Sequence, residues 1–286
     1  MAFTEASRLW IGLRHTRLDR ASVRTDGSRA TRYDQAYTTP WLAFTQALGD
    51  GLTAYASWGR GVESDVVPGR SRYTNAGQAL PVKPSEQVEV GLKAAAADGS
   101  RWSLALFDIR RPLFTDFGAC DSTPGSCTRA ADGSARHVGL EAEGQHRTGP
   151  LTLAASLQAL RARRQGAADP ALNGLPPPNV PAASLKAEAR WAVASVPGLV
   201  SILGLSADSS RSATLDDSLR IGGSARWDAA LSWRQAAPAA ELTWRAGVDN
   251  LLDRRAWRES PVQFGHSYLY PLAPRTFRVS VQVSPR

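Results

Sequence analysis

The sequence is poor in lysine: only Lys83, Lys93 and Lys186 stand among its 34 basic residues. Arginine therefore carries the net charge of +8. It falls at alternating positions and in connections rather than in one cluster interleaved with aromatics, so the basic balance does not read as a nucleic-acid groove. No stretch approaches the roughly 18 consecutive apolar residues that a membrane-spanning helix requires, although 43% of residues are hydrophobic. Mean hydropathy is −0.28. Residues 1–20 carry charge where a signal peptide would be apolar and lack a small-residue cleavage site, so no export signal is expected there. Catalytic signatures are missing as well. The four histidines, His15, His137, His146 and His266, belong to no metal-ligand set, and no Gly-x-Ser-x-Gly elbow occurs. Enzyme chemistry has no local signal, and the reading that stays open is a serine triad assembled across strands. Repeats of fixed period, which a propeller would need, are not visible.

What is present is a period of two, the pattern of strands with one apolar and one polar face. Val88, Val90 and Leu92 alternate with Gln87, Glu89, Gly91 and Lys93; Leu185, Ala187, Ala189, Trp191 and Val193 with Lys186, Glu188 and Arg190; Phe277, Val279, Val281 and Val283 with Thr276, Arg278, Ser280 and Gln282. About twelve such segments are predicted, over 8–18, 38–48, 52–62, 85–97, 100–112, 136–147, 150–163, 182–193, 199–208, 219–234, 239–252 and 274–283. Most reach the nine to eleven residues that a tilted strand needs to cross a bilayer, where soluble strands average about five or six.

The connections alternate between short and long. Gly49-Asp50-Gly51, Asp98-Gly99 and Thr148-Gly149-Pro150 are hairpin turns by composition, whereas 19–37, 63–84, 113–135, 164–181, 209–218 and 253–273 are long. Short periplasmic turns and long extracellular loops have this asymmetry in outer-membrane barrels. Trp41, Trp58, Trp102, Trp191, Trp227, Trp233 and Trp244 lie in or at the ends of the segments, as girdle aromatics do. The competing reading is a soluble all-β protein, whose strands would be shorter and whose loops would show no sidedness.

Two stretches carry a family resemblance. The first is Val248-Asp249-Asn250-Leu251-Leu252-Asp253-Arg254-Arg255-Ala256-Trp257, followed by Gly265 and by Ala273-Pro274-Arg275-Thr276-Phe277-Arg278-Val279-Ser280-Val281. The second is Val82-Lys83-Pro84-Ser85-Glu86-Gln87-Val88-Glu89-Val90-Gly91-Leu92-Lys93, with Phe107-Asp108-Ile109 downstream. Both resemble TonB-dependent siderophore receptors, in which an Asn-Leu-Phe-Asp segment closes the penultimate strand and a Pro-Arg pair opens the last. The resemblance implies an all-β fold, a transmembrane antiparallel β-barrel of which about twelve strands out of the family's 22 are present. It implies one unit over 1–286, the C-terminal part of the barrel with no plug domain, and it departs from the family in lacking a final aromatic residue. It further implies uptake of ferric siderophores at the outer membrane of a Gram-negative bacterium, powered through the TonB complex in the complete protein. No enzyme activity is expected, and the ferric siderophore is transported ligand rather than cofactor. Outer-membrane lipid is an expected partner; nucleic acid is not. A self-contained twelve-stranded pore and a non-functional truncated receptor are the alternatives.

The only two cysteines, Cys120 and Cys127, flank a Pro-Gly turn, which in an oxidising compartment reads as a local disulfide rather than two free thiols. Neither C-x-x-C spacing nor a histidine pair accompanies them, so no metal is expected. Candidate ligand contacts lie in long loops: Arg70, Arg72 and Tyr73 in one, and Trp257, Arg258, His266, Tyr268 and Tyr270 in the last. Guanidinium and aromatic groups suit an anionic ferric chelate through charge, hydrogen bonding and stacking. For any one of these residues, the competing role is an interface aromatic or a solvated loop charge.

Overall fold

A computed structural model describes residues 6–23, 25–263 and 266–285. Twelve strands form one antiparallel sheet in which each pairs with its sequence neighbour. They are β1 (Ser7–Val23), β2 (Arg29–Gly49), β3 (Leu52–Glu63), β4 (Lys83–Ala95), β5 (Arg101–Gly118), β6 (Cys127–Thr148), β7 (Leu151–Gln165), β8 (Ala183–Ala192), β9 (Leu199–Asp208), β10 (Ser224–Ala236), β11 (Ala240–Asp249) and β12 (Thr276–Pro285). The sheet is open: β1 and β12 each have one hydrogen-bonded neighbour among the described residues. Among those residues no helix is long and apolar enough to cross a membrane.

The short turns have the expected chemistry. Gly49, Asp50 and Gly51 all have positive φ, and at Gly51 a Cβ would stand 2.1 Å from the carbonyl oxygen of Ala95 on β4. Only glycine satisfies both the left-handed backbone and that close approach.

Register decides what each face presents. Ala56, Val90, Leu106, Leu140 and Ala159 form one cross-strand row, and Ala54, Leu92, Leu104, Ala142 and Leu157 form the next. Most of their large members are solvent-exposed, Leu106 at 53% and Val90 at 45%. An exposed apolar surface this continuous is what a bilayer covers. Trp102, Trp191, Trp233 and Trp244 share this outward face near the short turns, with Trp233 directly opposite Trp244. Trp41 does not join them. It lies on the polar face over Gly12, where a Cβ would meet its ring.

Several predicted boundaries move. The stretches 19–37 and 113–135 are hairpins rather than loops, because β1 and β2 pair out to Val23 and Arg29 and β5 and β6 out to Gly118 and Cys127. Beyond the bilayer both faces meet water, so apolar alternation fades while backbone pairing continues. The predicted strand start at 219 also moves, since Arg220–Ile221 pairs with Arg211–Ser212 in a separate two-stranded ladder.

Candidate functional site in the extracellular loops

Two assemblies rise from the long-loop end. The first joins the loop over residues 64–82 to the projecting hairpin of β5 and β6. Cys120 and Cys127 form a disulfide with Cα atoms 4.4 Å apart. Tyr73 bridges in parallel to Cys127, and Val67, Tyr73, Leu80 and Cys127 are buried together with Phe114 packed on them. Beside this apolar knot sits an ionic one. The Arg129 guanidinium donates to both Asp116 oxygens at 2.7 and 3.1 Å, and the Tyr73 hydroxyl donates to Asp116 Oδ2 at 2.8 Å. Arg129 also reaches Asp65 at 3.4 Å. Arg72 stacks over the Tyr73 ring, 5.0 Å from its centroid. Burial pushes the Asp116 carboxyl up, but the hydrogen bonds from Arg129 and Tyr73 outweigh it and hold the group below its ordinary value.

The second assembly is the last loop, residues 250–275. Its base is Asn250, which is buried and left-handed at φ 52. Its side-chain amide donates to the carbonyls of Arg254 and Ala273, both at 3.0 Å, and its carbonyl accepts from Arg254 N at 2.8 Å. Asp253 Oδ1 accepts from Arg275 N at 3.2 Å. The Asn-Leu-Leu-Asp and Pro-Arg stretches are therefore two halves of one lock, joining the ends of β11 and β12. Above it, Trp257 pairs with Pro271 and Glu259 with Tyr270. Asn179 clamps Ser260 from another loop, donating to its carbonyl at 2.8 Å and accepting from its amide at 2.7 Å.

The candidate contacts divide between these assemblies. Tyr73 lies inside the first at 4% exposure and Arg72 is half-buried beside it, so both are engaged in holding the loop. Arg70 is exposed in the same loop. Trp257 at 47%, Tyr268 at 40% and Tyr270 at 39% are exposed on the last loop, where Arg258 pairs with Glu259. The His266 side chain and Gly265 lie outside the described residues. Residues that sequence reasoning missed include Asp116, Arg129 and Asn179, and the buried pair Arg164–Asp132 at 3.1 Å. Nothing in their local sequence signals them, because their partners come from other strands or loops.

The opposite, polar face carries the interior of the wall. A groove of about 820 Å³ runs along it, lined among others by Lys93, Glu143, Lys186, Glu188, Asp228 and Arg278. Some charges on that face are matched by neighbours, with Arg226 on Asp228 at 2.9 Å and Arg190 on Glu188 at 2.5 Å. Among the described residues no group of acidic, histidine or cysteine side chains is arranged to hold a metal ion.

An outward apolar belt, a polar inner face and loops gathered at one end define an arc of outer-membrane barrel wall. The profile of the family described as TonB dependent receptor-like, beta-barrel, matches residues 2–251, and the chain belongs to that family. Its members are outer-membrane transport receptors of Gram-negative bacteria and not enzymes. The chain is 29% identical over 213 residues to the ferrichrome receptor FcuA of Yersinia enterocolitica, a match covering 73% of this chain and 26% of that protein. Its fold matches that of BauA, the ferric preacinetobactin receptor from Acinetobacter baumannii, with a TM-score of 0.76 at 23% identity, covering 100% of this chain and 41% of that one. It also matches FyuA, the ferric yersiniabactin uptake receptor from Yersinia pestis, with a TM-score of 0.74 at 18% identity, covering 99% and 44%. The chain thus spans well under half the length of the relatives it matches.

Proposed function

We propose that residues 1–286 supply wall strands and extracellular loops to a receptor that imports a ferric siderophore, with the remaining strands, the plug and the TonB contact provided elsewhere in the complete protein. The observation that carries this reading is the last loop. Its locked base at Asn250 raises Trp257, Tyr268 and Tyr270 as exposed aromatics, and Arg258, paired with Glu259, lies in the same loop. Such a surface stacks on planar chelating arms and attracts a negatively charged complex. Relatives named for ferrichrome, preacinetobactin and yersiniabactin support the ligand class without selecting a member. The self-contained pore is disfavoured because β1 and β12 do not pair among the described residues.

The test is uptake of radioiron by cells carrying the complete gene. Ferric hydroxamate and ferric catecholate chelates are offered with and without an active TonB system. Saturable, TonB-dependent uptake of one class is expected, and Trp257→Ala with Tyr270→Ala should weaken its binding about tenfold, the size of a modest aromatic hot spot. Uptake of neither class, or uptake indifferent to TonB, would sink the proposal.

A further inference from the structure

The last loop carries its aromatics on a ladder too short to stand alone. Trp257 pairs with Pro271 and Glu259 with Tyr270, with a register shift between the two pairs. A two-stranded ladder is marginal in water even when longer, and a loop of this length without support samples several conformations. Its own bonds close the hairpin on itself: Tyr268 N donates to the carbonyl of Pro261 at 3.0 Å and Leu272 N to that of Ala256 at 2.8 Å. Such bonds leave the direction of the hairpin over the barrel mouth unset.

Two other loops supply what it lacks. From residues 166–182, Asn179 grips the backbone of Ser260 through both its amide and its carbonyl. From residues 209–223, the Arg211 guanidinium donates to the carbonyl of Arg258, and the Ser260 hydroxyl donates to the carbonyl of Ala213 at 3.2 Å. Arg258 and Ser260 flank Glu259, so the ladder strand is held on both sides of its pairing residue. The two holding loops are tied to each other as well, since Asn179 N donates to the carbonyl of Ser212 at 2.8 Å. The junction is dry: Ser260 and Ala213 are 0% exposed and Arg211 6%, the Arg211 charge being met by Asp208 at 3.7 Å. Polar groups buried and satisfied in this way specify one arrangement, because displacement leaves a donor or acceptor unpaired and out of water.

We propose that Asn179 and Arg211 are positioning residues for the ligand surface of the last loop, so that three loops present Trp257 and Tyr270 to the chelate as one preformed platform and not as a flap that folds over it. The proposal rests on the receptor reading above. A platform set before the ligand arrives spares binding the cost of ordering the loop, and it acts on affinity without acting on the later passage through the barrel.

In the complete receptor, shown to be folded by heat-modifiable electrophoretic mobility, hydrogen exchange is followed at the Tyr268 and Leu272 amides, whose bonds lie within the last loop. Asn179 has φ 63, which glycine accepts without strain, so N179G removes the clamp alone. Exchange at both amides should rise at least tenfold with the loss of its two hydrogen bonds. R211Q should act in the same direction from the other loop and serves if N179G does not assemble, with R211K, which keeps a cationic donor, restoring protection. N173A is the control: Asn173 makes a similar clamp, accepting from Ala167 N at 2.9 Å, but within its own loop. It should leave both amides as they are, and Thr74 in the first assembly should not change in any variant. Unchanged exchange at Tyr268 and Leu272 in N179G or R211Q, or an equal rise in N173A or at Thr74, would overturn the platform. Uptake of a ferric trihydroxamate and a ferric tris-catecholate supplies the second readout. N179G should raise the concentration for half-maximal uptake about tenfold and leave the maximal rate unchanged; a lowered maximal rate at unchanged half-saturation would overturn the positioning role. Uptake of neither chelate by the parent would sink the receptor reading, and the exchange result would still decide the platform.

Discussion

The two loop assemblies occupy equivalent places at the outer rim, yet they are held by different means. The one over β5 and β6 is closed by a covalent bond and a half-buried carboxylate shared by Arg129 and Tyr73. The last loop is closed at its base by one neutral side chain, Asn250, standing in for backbone. The aromatic of the first is consumed in its own core, whereas those of the second remain exposed. A loop that buries its tyrosine in its own core has fewer groups left for a ligand. For that reason the ligand proposal rests on the last loop.

The contrast can be broken most severely at Asn250. Asn250→Ala removes three hydrogen bonds from a buried site and places a residue with a steric penalty at φ 52. About 3 kcal/mol of local stability should be lost. Proteolytic cleavage within residues 251–275 should accelerate about a hundredfold, while cleavage within 64–82 stays unchanged. Equal acceleration in both loops would mean that they do not behave as separate units.

A smaller effect is expected from the disulfide. Cys120→Ser with Cys127→Ser opens a short covalent ring, worth about 2 kcal/mol in the chain-entropy view. The surrounding hydrogen bonds, Cys120 N to Ser126 O at 3.2 Å and Cys127 N to Arg72 O at 2.9 Å, remain to hold the turn. Amide exchange at Thr74 and Cys127 should rise about thirtyfold without change at Ser260. No rise would show that the turn is held entirely by its other contacts.

The smallest effect depends on pH. Because the folded state holds the Asp116 carboxyl below its ordinary value, its contribution is complete above the unfolded carboxylate range near pH 4. It is lost as pH falls through the lower folded value. Amide exchange at Thr74, corrected for intrinsic rate, should therefore report a loosening of the first assembly in acid. Asp116→Asn should loosen it at neutral pH by about 1 kcal/mol and abolish the acid step. An acid step that survives in Asp116→Asn would assign it to another group.

The strands were legible because a bilayer imposes a strict rule. Val88, Val90 and Leu92 must face lipid, and Glu89 and Lys93 must not. The rule lapses beyond the membrane, which is why the outer halves of β5 and β6, where Arg129 follows Thr128 and Asp116 follows Thr115, carried no readable period. The candidate site was legible only in part. Exposed Trp257 and Tyr270 could be named from loop position and residue type, whereas Tyr73, of the same type and a similar loop, is buried by Val67 and Leu80.

By itself the sequence determined the transmembrane character of this wall, the order of its twelve strands and the side on which its long loops lie, because alternation and turn chemistry are local properties that each strand carries alone. Only the tertiary structure decided which residues meet across strands. The union of Asn250 with Ala273 and the placing of Asp116 beneath Arg129 both follow from register. Register is fixed by the whole ladder of backbone hydrogen bonds and not by any one segment.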